Sequence, residues 1–330
     1  MLCPGLRELP PPPPGQAGWP WTEESAPLPP DGRPWPRITV VTPSFNQGHF
    51  LEATLRSVLL QGYPDLEYFV LDGGSTDASV DIIKKYAPWL SYWVSEPDGG
   101  QSAAINRGLQ IGSGSWATWI NSDDMLCQDA LSTQASRIGF APNVVYVGEC
   151  LYIDADGRVL TTHCGRVHSF EDLVRIPTVW RARGRRGHIV QPEVLFPRQL
   201  ALDVGGLDPD NHRTMDYELW GKFLLAGARF HYTHVPVGMF RLHGQQKTRD
   251  HWQHTQSLVA TAGRLVARAD DLTEEVRQSI LGDLRAYEQD YWWRTGPLAR
   301  LGLPPHWVMH LRDVRATLRR RAAHLVRRQI

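Results

Sequence analysis

Between residues 37 and 121 short apolar runs alternate with stretches of helical period. Arg37-Ile-Thr-Val-Val-Thr-Pro-Ser-Phe-Asn46 reads as a strand closed by Pro43, and Phe50, Leu51, Leu55, Val58 and Leu59 then recur at helical steps. A second run, Leu66 to Asp72, enters Gly73-Gly74-Ser75-Thr76-Asp77 and a helix through Val80, Ile82 and Ile83. The glycines permit close approach of backbone to a ligand, and Ser75 or Asp77 suits a helix cap. Tyr92 to Val94 predicts a third strand, Ala103, Ala104 and Leu109 a third helix, and Trp116 to Asn121 a buried central strand. Such alternation builds an α/β fold with a mostly parallel central sheet and helices on both faces.

The pattern changes after Val144-Val-Tyr-Val147. Leu151 to Leu160 predicts a hairpin turning at Asp154 to Gly157, so the second half is expected to be mixed. Residues 1–36 hold Pro10 to Pro14 and little aliphatic sequence, which predicts a Pro-rich disordered arm. Residues 37–249 are read as the catalytic domain and 250–330 as a helical C-terminal extension broken at Pro304 and Pro305. From His306 onward, Trp307, Leu311, Val314, Leu318, Ala322 and Leu325 form one stripe, with seven arginines elsewhere. That stripe either packs on the catalytic domain or lies, through 306–330, against an anionic membrane surface.

Composition narrows the classes. Apolar content of 42% and charged content of 21% are those of a globular domain, and 35 basic against 35 acidic residues give no field that would draw nucleic acid. No run of 18 apolar residues occurs and no secretory signal is visible, so the expected location is cytoplasmic, at most peripheral to a membrane. Four cysteines lack metal-ligand spacing and are too few for a disulfide framework. Arg181, Arg183, Arg185 and Arg186 suggest a basic loop.

The chemistry gathers at the predicted strand ends. Trp116-Ala-Thr-Trp-Ile stops on Asn121-Ser-Asp-Asp124, and ligands of open α/β sheets bind beyond such ends. Oxygens at this spacing suit a hard divalent cation, Mg²⁺ or Mn²⁺, shared with a diphosphate. Asp72 at the end of the second strand is placed to accept from a base N–H or a ribose hydroxyl.

In order and spacing, Thr42-Pro-Ser-Phe-Asn46, Asp72-Gly-Gly-Ser-Thr-Asp77, Glu96-Pro-Asp-Gly-Gly-Gln-Ser-Ala-Ala-Ile-Asn-Arg-Gly108 and Asn121-Ser-Asp-Asp124 resemble the family-two inverting glycosyltransferases with the A-type nucleotide-diphospho-sugar transferase fold. The resemblance runs from about 37 to 247. It implies a nucleoside held by Pro43, Ser44, Asn46 and Asp72, and Arg107 facing the diphosphate. It also implies a metal on Asp123, with Asn121 where the family has Asp, and Asp124 either binding the metal through water or orienting sugar hydroxyls. Val204-Gly-Gly-Leu-Asp208 followed by Thr214-Met-Asp-Tyr-Glu-Leu-Trp220 resembles the acceptor half, which makes Asp216 the catalytic base. Glu218 then points away from the cleft and serves as its control. Phe240-Arg-Leu-His-Gly-Gln-Gln-Lys-Thr248 resembles the closing segment, with His243 on the metal and Lys247 toward the diphosphate. The implied partners are a nucleotide-diphosphate sugar and a hydroxyl-bearing glycan or lipid-linked acceptor. The rival readings are a non-catalytic sugar-nucleotide-binding protein, a nucleotidyltransferase, which needs a basic Gly-rich loop after the first strand, and a dinucleotide-binding oxidoreductase.

Overall fold

The computed structural model describes residues 3–26, 35–137, 141–176, 188–244, 246 and 251–295. The order is β1 (Ile38–Ser44), α1 (Gly48–Leu59), β2 (Leu66–Asp72), α2 (Ser79–Tyr86), β3 (Tyr92–Ser95), α3 (Gln101–Ile111), β4 (Trp116–Trp119), β5 (Met125–Leu126) and α4 (Ala130–Arg137). There follow β6 (Val144–Ile153), β7 (Val159–His163), α5 (Phe170–Val174), β8 (Val194–Pro197), α6 (Arg198–Asp203), α7 (Met215–Leu225), β9 (Arg229–Arg241), α8 (His251–Arg268) and α9 (Glu274–Thr295). The strands lie in the order β3-β2-β1-β4-β8-β6-β9-β5, with β7 paired to β6.

β1, β2, β3 and β4 are mutually parallel, as their alternation with helices requires. β8 runs antiparallel to both β4 and β6, so it stitches the parallel half to the mixed half. The expected hairpin forms between β6 and β7, closed by Asp154 N–H on Arg158 O and Gly157 N–H on Asp154 O. β1 is buried at every position, because alternate residues enter different cores. Val41 packs with Ile105, Leu109, Trp119 and Phe196, whereas Ile38 and Val40 pack with Leu51, Leu55 and Leu59 of α1. Trp119 at the end of β4 stacks on Trp220 of α7 at 5.7 Å and 21°. The helix carrying Asp216 is thereby packed against the central strand.

The proline-rich start of the chain departs from its reading as a disordered arm. Residues 3–26 lie along the domain, with Leu9 buried and Trp19 and Trp21 packed on the core of α1 and β5. Arg56, fully buried in α1, donates to Pro20 O at 2.9 Å, Pro10 O at 2.8 Å and Trp21 O at 2.9 Å. Trp19 Nε1–H donates to Leu126 O at 2.8 Å, and Ser25 Oγ accepts Asp129 N–H at 2.8 Å. A proline run lacks amide donors but keeps its carbonyls, and one buried guanidinium collects them. The aliphatic count missed this, because the strap is anchored by tryptophans and backbone oxygens. No helix among the described residues is long and apolar enough to cross a membrane. The stripe from His306 onward and the arginines 181–186 lie outside the described residues.

Candidate active site

The four motifs follow the ends of β3, β2, β1 and β4, which are neighbours in the sheet. At the end of β1, Pro43 and Ser44 pair with Leu71 and Asp72 of β2, and Ser44 Oγ is buried with no hydrogen-bond partner among the described residues. Asn46 follows with φ 52° and locks two loops together. It accepts Thr76 N–H on Oδ1 at 2.8 Å and donates its own N–H to Ser75 Oγ at 2.7 Å. Asp77 caps α1 and α2 at once, accepting Gly48 N–H at 2.8 Å and Ser79 N–H at 2.9 Å. Those bonds hold its carboxyl below the usual range although burial pushes the other way.

Asp72 is 1% exposed and accepts from Ser75 N at 2.8 Å, Ser75 Oγ at 2.5 Å and Ser95 Oγ at 2.7 Å. It lines a cleft of about 230 Å³ with Leu71, Val94, Glu96, Asp98 and Arg107. Gly73 is needed here, since a Cβ would stand 3.2 Å from Asp98 Oδ1. Arg107 turns to this cleft's lining: it pairs with Glu96 at 2.5 Å and donates to Tyr92 Oη at 2.9 Å. Phe45, 61% exposed at the end of β1, is an aromatic face that sequence patterning passed over; a large apolar residue just past a strand's Pro-Ser turn was the available signal.

Beyond β4 the two carboxylates part company. Asp124 is 1% exposed, accepting Arg241 N–H on Oδ1 at 2.9 Å and Asn121 Nδ2–H on Oδ2 at 3.2 Å. Burial first, and then the Asp123 charge, pushes its carboxyl well above the usual range. Asp124 is therefore enclosed between β9 and Asn121, where it braces the turn that carries Asp123. Asn121 takes a second bond from Gln101 Nε2 at 2.7 Å, which ties the motif to α3. Asp123 Oδ2 stands 3.0 Å from His243 Nε2. The His243 ring packs on Phe50 at 4.6 Å, and Arg241 donates Nε–H to Asp123 O at 2.9 Å. Arg241, the last residue of β9 and two residues before His243, is a site residue that the sequence reading did not single out.

Among the described residues no group of three or more His, Cys, Asp or Glu side chains could hold a metal. The pair Asp123 and His243 fits a weaker demand, that of an ion sharing its shell between one or two side chains, a diphosphate and water. Lys247 lies outside the described residues.

On the acceptor side Asp216 occupies the first turn of α7, half-buried, with Oδ1 accepting Tyr217 N–H at 2.8 Å. Burial pushes its carboxyl up to about 6. Glu218 is not the idle control that helix geometry suggested. It is 1% exposed, accepts Asn211 Nδ2–H at 2.7 Å and Arg264 Nη2–H at 3.3 Å, and has Arg268 at 3.6 Å. The opposite side of α7 is covered by α8, so a residue turned from the cleft is turned into a packed interface.

Residues 39–186 match the family model for glycosyl transferase family 2. An uncharacterized glycosyltransferase of Rickettsia typhi is 24% identical over 217 residues, which are 64% of this chain and 66% of that protein, just under two thirds of its length. A PGL/p-HBAD biosynthesis glycosyltransferase of Mycobacterium bovis is 34% identical over 108 residues, 32% of this chain and 42% of that one. Among solved structures, S. aureus TarS 1-349 in complex with UDP-GlcNAc superposes with a TM-score of 0.57 at 17% identity, covering 75% of this chain and 71% of that one. Mannosyltransferase PcManGT from Pyrobaculum calidifontis, in complex with GDP-Man and Mn2+, gives 0.51 at 20% identity, covering 87% and 84%. With its four motifs standing in order after the ends of β1 to β4, the segment 39–186 is similar to glycosyl transferase family 2, and the sheet around it has the fold of the TarS neighbours.

Proposed function

We propose that the protein transfers a sugar from a nucleotide-diphosphate donor to an acceptor hydroxyl with inversion at the anomeric carbon, in the assembly of a glycan or glycolipid. The observation that carries this reading is a carboxylate raised to about 6 on the first turn of α7, where its neighbour Met215 meets Ser102 of α3, the helix whose Gln101 also holds Asn121. A base needs a pKa near the working pH, and a buried Asp raised from 3.8 meets that need where an exposed one does not. The nucleoside lies along Pro43, Ser44, Asn46 and Asp72, with the Phe45 ring as a stacking face. Asp123 and His243 are the residues that would hold Mg²⁺ or Mn²⁺, which would supply positive charge to neutralise the departing diphosphate. Asn121 bonds Asp124 and Gln101 and adds no second charge beside Asp123, so such an ion would depend more on the diphosphate than beside two carboxylates.

The Mn2+ complex of PcManGT and the UDP-GlcNAc complex of TarS support a metal and a nucleotide sugar for this chain as well. A non-catalytic binder has no use for the raised Asp216. The test is a hydrolysis screen of UDP-, GDP- and dTDP-sugars with Mg²⁺, Mn²⁺ or EDTA, with water as acceptor. One donor class is expected to be cleaved in a metal-dependent way. Binding of nucleotides without cleavage of any sugar would favour the non-catalytic reading.

A further inference from the structure

We propose that Asn106, with Ser102 one turn before it on α3, is a positioning residue that sets the Asp216 carboxylate against the donor cleft. This rests on Asp216 being the base. Asp216 has one side-chain hydrogen bond among the described residues, to the N–H of its own neighbour Tyr217. Among the described residues no hydrogen bond from outside its helix holds the carboxylate, so its place follows that of the first turn of α7.

The first turn, and the loop that leads into it, are tied to α3 at one point each. Ser102 Oγ–H donates to the sulfur of Met215, the residue beside Asp216, at 3.0 Å, in a buried contact. Asn106 pairs with the backbone of Leu207 as one strand pairs with another: Leu207 N–H donates to Oδ1 at 2.9 Å and Nδ2–H donates to Leu207 O at 2.8 Å. Gly206 has φ 65°, and a Cβ there would lie 2.4 Å from Asn106 Oδ1, so the turn is closed onto the amide as far as a backbone can be. From the other side Lys222 of α7 donates to Gly206 O at 2.8 Å. Asn211, farther along the same loop, accepts Thr214 N–H at 3.1 Å and fixes the start of the helix.

Interleaved positions of α3 belong to the donor side of this reading: Gln101 holds Asn121, and Ala103, Ala104 and Arg107 line the cleft beside Asp72. One eleven-residue helix thus carries the donor wall and, on residues 102 and 106, the ties to Met215 and Leu207. Two bonds from a single amide are hard to replace, and a displacement of about 1 Å at a reacting group costs on the order of 10²-fold in rate.

The test is a double-mutant cycle between Asn106→Ala and Asp216→Asn. Turnover is read as hydrolysis across UDP-, GDP- and dTDP-sugars, and binding as calorimetry with UDP and GDP. Asn106→Ala is expected to lower kcat by about 10- to 100-fold and to leave nucleotide Kd within about twofold. In the Asp216→Asn background the same change is expected to cost under about threefold, because its effect passes through the missing base. Hydrogen exchange at Leu207 and at 216–218 is expected to quicken in Asn106→Ala, with β1 and β2 unchanged. Full additivity of the two losses, a fall in kcat accompanied by a rise in Kd and a lower melting temperature, or unchanged exchange and turnover within twofold of wild type would each overturn the proposal. Wild-type turnover in Asp216→Asn alone overturns the base assignment instead, so the two failures are told apart.

Discussion

The parallel half of the cleft, from β3 to β4, is held by bonds between neighbouring loops. Asn46, Ser75, Asp77 and Ser95 fasten one strand end to the next, and Asp72 is satisfied within this set. The mixed half is held from a distance: the Gly205–Asp208 turn hangs on α3, and α7 leans on α8 through Glu218. The loops after β1, β2 and β3 are therefore fastened by bonds between residues no more than 30 positions apart. The helix bearing Asp216 depends on contacts separated by as many as 113 residues. Substitutions in the first half should act on nucleotide and metal binding, and substitutions in the second on turnover.

The widest separation is expected from Asp216→Asn. An amide keeps the shape but cannot take the acceptor proton, so kcat should fall by about 10²–10⁴-fold with nucleotide Kd unchanged. In the wild type, turnover should fall as pH drops through about 6, where the carboxylate raised from 3.8 by burial becomes protonated. A pH profile flat from 5 to 8, or a changed Kd, breaks the division of labour.

Asp123→Ala tests the opposite side. Mg²⁺ or Mn²⁺ should strengthen UDP or GDP binding to the wild type by about 10-fold or more, and that enhancement should vanish in the variant. Calorimetry giving the same nucleotide affinity with EDTA and with Mn²⁺ in wild type would remove Asp123 and His243 from metal binding.

Glu218→Gln sharpens the contrast within α7. It leaves Arg264, Arg268 and Lys222 without their buried counter-charge, at a cost of about 1–3 kcal/mol. The expected signature is a lower melting temperature with the acid limb of the pH profile still near 6. A shifted acid limb would mean that Glu218 and Asp216 act as one unit.

The same contrast explains what could be read from sequence. β1 to β4 and their strand-end motifs were legible because period two, period 3.6 and turn residues are local signals. Asp216 was found by its motif, yet its burial was not, since that depends on α7 packing against Trp119 and α8. Asp123 and Asp124 look equivalent in Asn-Ser-Asp-Asp. Only the return of β9, with Arg241 and His243, makes one a buried brace and leaves the other facing His243. Arg107, expected to face the diphosphate, lines the cleft and pairs with Glu96, eleven residues away across a turn, a partner its motif did not announce.

The smallest effect is expected from the strap over the donor half. Its tryptophan at position 19 spends one indole N–H on Leu126 O, two residues past Asp124, and residues 20 and 21 receive Arg56. Trp19→Phe keeps an aromatic ring in the apolar contact and removes that bond, which is worth about 1 kcal/mol. The melting temperature should drop by about 2 °C, with kcat and nucleotide Kd unmoved, because the strap touches the brace side of the metal motif and not Asp123 itself. Limited proteolysis supplies the structural arm of the test: peptide bonds within 3–26 should resist cleavage in the wild type and be cut sooner in the variant. Rapid cutting of 3–26 in wild type, with no change in melting temperature on substitution, would return the segment to the loose arm its prolines suggested.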